Sequence, residues 1–103
     1  MNRYKATLST GHVLTRTSRT RTYSHAWALI AETGAVLLSG FARTEALAHA
    51  AKATNEKQHT EKRAQWQAGT HPAQKLSGPD YLSQLAKFYE HAAHAEVVAV
   101  EAL

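Results

Sequence analysis

Hydrophobic and polar side chains alternate at the start of the chain, where residues 4–8 read Tyr-Lys-Ala-Thr-Leu. Such alternation is typical of a strand with one buried face. Ser9, Thr10 and Gly11 follow as a turn signal, and residues 12–18 resume an extended pattern rich in threonine. These two stretches predict a first β-hairpin.

A second hairpin is predicted around Thr33 and Gly34, with arms at 23–32 and 35–39. Its first arm has one large, partly aromatic face, formed by Tyr23, His25, Trp27 and Leu29. Its opposite face is smaller and consists of Ser24, Ala26, Ala28 and Ile30. We expect the small face to receive a helix at close range. The aromatic face is then either covered by another part of the chain or is a contact surface.

Thr44 followed by Glu45 predicts the start of a helix over 44–66, because a hydroxyl caps free N–H groups and an acid suits the positive end of the helix dipole. The first half of this helix carries a narrow apolar stripe, whereas residues 54–65 are polar all round. We expect this second half to project from the body or the helix to break at Thr54. Trp66 is expected to fold back onto the body.

Residues 67–78 are predicted to form a loop, and Pro79 predicts the first turn of a second helix over 79–94. Residues 95–103 are ambiguous between strand and helix, and their β-branched content favours a strand. The sequence predicts one α+β domain over 1–103. A double hairpin at 1–42 and the C-terminal strand form a mostly antiparallel sheet, with two helices on one face.

Composition excludes several classes of protein. The chain contains no cysteine, which rules out disulfide scaffolds, thiolate metal sites, iron–sulfur clusters and a cysteine nucleophile. No apolar stretch approaches the roughly 18 residues that span a bilayer, and the N-terminus lacks the apolar core of a signal peptide. We therefore expect a cytoplasmic protein without membrane contact.

Positive charge is concentrated at the N-terminus. The first 31 residues contain five cations and no acid, so the formal charge of +4 arises from this segment. Guanidinium groups interleaved with hydroxyls suit phosphate oxygens or a carboxylate-rich surface. The sequence predicts a nucleic-acid site in which the aromatic residues stack on bases. Its candidate residues are Lys5, Arg16, Ser18, Arg19, Arg21, Tyr23 and Trp27.

Three other interpretations of this segment remain open. One is that the basic strand is a solvated edge that prevents aggregation between strands of neighbouring molecules. It also suits an acidic host protein, bound by the same cations with Tyr23 or Trp27 as an anchor. Finally, the aromatic face is a candidate contact in a homodimer.

Metal binding and catalysis find little support in the sequence. His91 and His94 lie three residues apart in a predicted helix, but no second close pair and no His-Glu-x-x-His motif accompanies them. There is no nucleophile elbow, and the five glycines form no phosphate-binding loop. We expect a non-catalytic protein that holds no metal or other cofactor.

Residues 4–40 resemble short uncharacterised proteins encoded by actinobacterial phages and plasmids. The resemblance lies in Tyr4-x-Ala-Thr-Leu, Gly11, Thr15-Arg16-x-Ser18 and Arg21-Thr-Tyr-Ser-His-Ala26. It covers about a third of the chain. It implies a small accessory protein of a mobile element that acts in a bacterial cytoplasm, and it assigns no role to any residue.

Overall fold

The computed structural model describes residues 1–76 and 78–103 and confirms the α+β class. The strands within these residues are β1 (Asn2–Thr7), β2 (Val13–Ser18), β3 (His25–Ala31), β4 (Val36–Ala42), β5 (Ala93–Ala99) and β6 (Glu101–Ala102). The helices are α1 (Glu45–Ala68), α2 (Ala73–Leu76) and α3 (Pro79–Tyr89). Both predicted hairpins form, with β1 antiparallel to β2 and β3 antiparallel to β4. Gly11 and Gly34 in their connections have φ angles of 89° and 91°, which a residue without a side chain adopts at little cost.

The C-terminal segment connects the two hairpins. β5 pairs with β3, and after Val100 the chain continues as β6, which pairs with β1. The sheets therefore have the orders β4-β3-β5 and β2-β1-β6. The strand predicted over 95–103 is present as two strands, β5 from Ala93 and β6 after Val100, and the single sheet that the sequence predicted is divided into two.

Helix α1 covers the face of β3 that carries His25 and Leu29, which is the opposite of the prediction. His25 Nε2 lies 3.6 Å from Glu45 of α1, and Leu29 shares a cavity with Asn55 and His59 of α1. The small-residue face is covered by the first hairpin instead, and the core there joins Leu8, Ala28 and Ile30. The alanines of β3 allow a close approach, but the partner is a hairpin whose own apolar face also needs burial.

The helix α1 continues without a break through the polar stretch, so the predicted projection or break at Thr54 is wrong. Three polar side chains of its second half satisfy backbone groups where α3 ends and β5 begins. His59 Nε2 lies 3.0 Å from the Phe88 carbonyl oxygen, and Arg63 Nε donates to the Tyr89 carbonyl oxygen at 3.2 Å. Glu56 Oε2 accepts from the Ala95 amide at 2.6 Å. His59 and Arg63 thus supply partners for terminal carbonyls of α3, which have none within their own helix, while Glu56 accepts from an amide of β5.

The second predicted helix and the predicted loop have different boundaries in the structure. Helix α3 ends at Tyr89 and not at residue 94, because residues 93–99 pair with β3. The loop predicted over 67–78 contains the last turn of α1 and the short α2; residue 77 lies outside the described residues. Trp66 does fold back, since its ring centroid lies 6.0 Å from that of Tyr89.

Candidate functional site

Four arginines gather at one end of the molecule, which we call the arginine end: Arg16, Arg19, Arg21 and Arg43. Arg16 lies near the end of β2, and Arg19 and Arg21 lie in the segment that leads to β3. Arg43 follows β4, whose last residue pairs with the first residue of β3. All four are exposed. The antiparallel topology therefore brings cations from distant parts of the sequence to the same end.

The guanidinium of Arg16 lies over the ring of Tyr23, 5.4 Å from the ring centroid. Tyr23 is itself held by edge-on contacts with Tyr4 and Phe41, at centroid distances of 5.3 and 5.7 Å. A cation over an aromatic face is attracted by the ring quadrupole, and at an exposed site the contact contributes about 0.5–1 kcal/mol. The Arg16 side chain is thus positioned by Tyr23 and remains exposed.

The segment that carries Arg19 and Arg21 is fixed by two hydrogen bonds. Ser18 Oγ accepts from the Arg21 amide at 2.9 Å, and the Tyr4 hydroxyl donates to the Arg21 carbonyl oxygen at 3.1 Å. The backbone at Arg21 is therefore anchored to the hairpin. This bond uses Ser18 Oγ as an acceptor, and the hydroxyl can still donate to a phosphate oxygen, as the sequence predicts.

Carboxylates do not neutralise the arginine end. In the described part of the chain, the carboxylates that contact a basic side chain contact histidine or Lys57 and no arginine. At this end Glu45 faces His25 and His49, at 3.6 and 3.5 Å. At the opposite end of β3, Glu32 contacts His91. The four guanidinium groups are therefore available to an external anion.

The structure does not bring all the predicted site residues together. Lys5 is opposite Thr15 in the β1–β2 register, so it lies on the other face of the hairpin from Arg16. Trp27 is half-buried on the face of β3 that α1 covers, against Gly40. Tyr23 precedes β3 and packs with Phe41 on the opposite side, so Tyr23 and Trp27 do not form one aromatic face.

Arg43 was not predicted as part of the site. The predicted second hairpin could have indicated its position, because the end of the second strand of a hairpin lies beside the start of the first strand. Arg43 follows that second strand. The hydrogen bond from the Ser24 amide to the Ala42 carbonyl oxygen, at 3.0 Å, extends this pairing to the residue before Arg43.

A second concave region lies between α1, α3 and the sheet. This cavity of about 270 Å³ is bordered by His59, which is 3% exposed, and by Tyr89. Burial, with a contribution from the nearby Tyr81 hydroxyl, raises the pKa of Tyr89 above its ordinary value. The His59 ring contacts Phe88 and Tyr89. These contacts form a small secondary core. No cluster of three or more metal-ligating side chains occurs in the part of the chain that the structure describes.

Comparisons with protein-family models, curated proteins and solved structures gave no significant match for this chain. The helices that the structure describes include none long and apolar enough to cross a membrane.

Proposed function

We propose that this protein is a non-catalytic binding protein that holds nucleic acid through backbone phosphates at the arginine end. The observation that carries the proposal is that strand pairing places four exposed arginines at one end of the fold, without a carboxylate partner among the described residues. Guanidinium groups present a planar set of donors that matches phosphate oxygens. We further propose a small accessory protein of a phage or plasmid, in keeping with the resemblance in residues 4–40.

Contacts with the bases have a smaller part in this proposal than contacts with the backbone. Tyr23 has Arg16 over its ring and two aromatic neighbours, and Trp27 packs against Gly40. Both rings are half-buried and engaged in these contacts, so they are less accessible for base stacking than exposed aromatic side chains. The same packing gives little support to a host-protein interface anchored on these two residues. We therefore propose binding that depends weakly on sequence and strongly on salt.

Fluorescence anisotropy of labelled single- and double-stranded DNA, titrated from low to physiological salt, tests the proposal. Wild-type protein is expected to bind with an affinity that falls steeply as salt rises. Arg19→Ala/Arg21→Ala should lower the magnitude of the log–log salt slope by roughly 1.4 on single strands or 1.8 on duplexes.

The matched control is Lys57→Ala/Lys75→Ala, which removes the same formal charge from two exposed helical positions. This variant should retain the wild-type slope. Equal effects of the two double variants on the slope would show that binding depends on the net charge of the protein and not on the arginine end. Absence of binding at physiological salt would refute the proposed function.

A further inference from the structure

The first hairpin has an outer face that is open to solvent. Tyr4, Ala6 and Leu8 are buried on its inner face, as the alternation of β1 requires. On the outer face, Arg3 is exposed and Lys5 is half-buried.

Cations and hydroxyls are paired across this outer face. The β1–β2 register places Arg3 opposite Thr17 and Lys5 opposite Thr15. We call these two pairs the rungs. Directly opposed side chains on one face of an antiparallel pair are close neighbours, so each rung places one positively charged side chain beside one hydroxyl. Both threonines are exposed.

The rungs follow one another along the hairpin at a regular interval. Arg3 and Lys5 are two positions apart, as are Thr15 and Thr17, which corresponds to about 6.8 Å along a strand. This interval is comparable to the step between successive phosphates of a nucleic-acid strand. Each rung can supply what one phosphate needs, a charge-assisted hydrogen bond from the cation and a second from the hydroxyl.

A shallow depression marks the rung nearest the arginine end. Its volume is about 200 Å³, and its lining includes Arg3, Thr15, Thr17 and Leu103, with Tyr4 and Arg16 between them in the strands. A depression that is bordered by a guanidinium and two hydroxyls suits a tetrahedral oxyanion better than an apolar group.

A carboxylate limits the width of this positive strip. Glu101 of β6 pairs with Lys5 on the other side of β1 and is exposed. Its charge offsets part of that of Lys5 and repels phosphate, so the attractive surface extends over β1 and β2 alone and is strongest at the Arg3–Thr17 rung. A strip of this width accommodates one polynucleotide strand and disfavours the second strand of a duplex.

We propose that the rungs bind two successive phosphates of a single-stranded polynucleotide, whose backbone continues to the arginine end. This inference rests on the proposed nucleic-acid function and names its substrate class. The protein then contacts single-stranded nucleic acid through β2 and the segment that follows it, with hydroxyl-assisted contacts at the rungs and arginine contacts beyond Ser18.

Anisotropy with labelled oligo-dT of about 12 nucleotides, and with a duplex of the same length, tests the inference. Arg3→Ala/Lys5→Ala should lower the magnitude of the single-strand salt slope by roughly 1.4, because two phosphate contacts are lost. Thr15→Val/Thr17→Val should weaken binding by roughly fivefold without a change in slope, since it removes hydroxyls and no charge. Wild-type protein should prefer the single strand to the duplex.

Two variants act as controls on the same outer face. Thr7→Val removes a hydroxyl outside the rungs, where Val13 is the opposed residue, and should leave the affinity unchanged. Glu101→Gln should strengthen binding, because it removes the neighbouring negative charge. Circular dichroism and thermal melts establish that each variant is folded.

The results separate this inference from the proposed function. If wild-type protein binds neither form of DNA, both are wrong. A second result is that wild-type protein binds and Arg19→Ala/Arg21→Ala lowers the salt slope, while the rung variants match wild type. The proposed function is then supported, and the proposal that the rungs bind phosphates is wrong. A preference for duplex DNA would also overturn the assignment to a single strand.

Discussion

The indole of Trp27 occupies the space that a side chain on Gly40 would need. A β-carbon built on Gly40 would lie 2.6 Å from Nε1 and 2.9 Å from Cε2 of Trp27. The two residues are directly paired between β3 and β4, so the missing side chain on one strand makes room for the largest side chain on the other. Glycine is required here for space and not for an unusual backbone angle, because Gly40 has no positive φ.

Gly40→Ala is therefore expected to lower the free energy of unfolding by about 1–3 kcal/mol, since the indole must shift from a packed position. Urea denaturation measures this cost. In a Trp27→Phe background the added methyl group has more room, so the cost of Gly40→Ala should become clearly smaller. Ser39→Ala on the exposed neighbouring position should change stability by less than about 0.5 kcal/mol. An equal cost of Gly40→Ala in both backgrounds would contradict this account.

The ring of Tyr23 contacts both Arg16 and the aromatic rings of Tyr4 and Phe41. We therefore expect the ring to contribute more to the free energy of unfolding than the hydroxyl does. Tyr23→Ala is expected to cost about 2–3 kcal/mol, because it removes the contacts with Tyr4 and Phe41 and the surface under Arg16. Tyr23→Phe keeps the ring and should remain within about 0.5 kcal/mol of wild type. Urea unfolding of both variants tests this, and a large loss in Tyr23→Phe would show that the hydroxyl has a stabilising contact.

Tyr89 makes stability sensitive to alkaline pH. Burial and Tyr81 raise the pKa of Tyr89 above 10.0, so the folded protein keeps its proton at a pH where the unfolded chain has begun to lose it. The unfolded state then releases protons first, and stability falls as pH rises through 10 and above, while it is unaffected at neutral pH. Tyr89→Phe removes this group from both states.

Urea midpoints measured from neutral to strongly alkaline pH test this expectation. The wild-type midpoint should fall more steeply above pH 10 than that of Tyr89→Phe. Tyr81→Phe, at an exposed position, should retain most of the wild-type dependence. Identical pH profiles for wild type and Tyr89→Phe would show that burial does not hold this proton.

Local patterns predicted the hairpins, but not the surfaces that cover them. The alternation of β1 and the turn at Gly34 depend on neighbouring residues, and both are present in the fold. The choice of which face of β3 meets α1 depends on how the whole first hairpin docks. Both faces of β3 are apolar, since Leu29 and Ile30 are each almost fully buried, so the sequence did not distinguish them.

His59 shows a second limit of sequence reasoning. It lies in a stretch that is polar all round, yet it is 3% exposed. A polar side chain is stable in such a position only when a buried partner satisfies it. That partner is the Phe88 carbonyl oxygen, 29 residues away, and it is present only once α3 has docked. The prediction of the arginine end was incomplete for a similar reason. Arg16, Arg19 and Arg21 are close in sequence, whereas Arg43 lies at this end only because β4 pairs with β3.

The position of the C-terminal strand between the two hairpins also governs when the protein can fold. Residues 93–102 are translated last among the strands, yet β5 pairs with β3 and β6 pairs with β1. Each hairpin is local in sequence and can form early, but joining them requires contacts between the two ends of the chain, which form slowly. During translation, both hairpins can therefore form before residues 93–102 have left the ribosomal exit tunnel. The pairing of β5 with β3 and of β6 with β1 can form only afterwards.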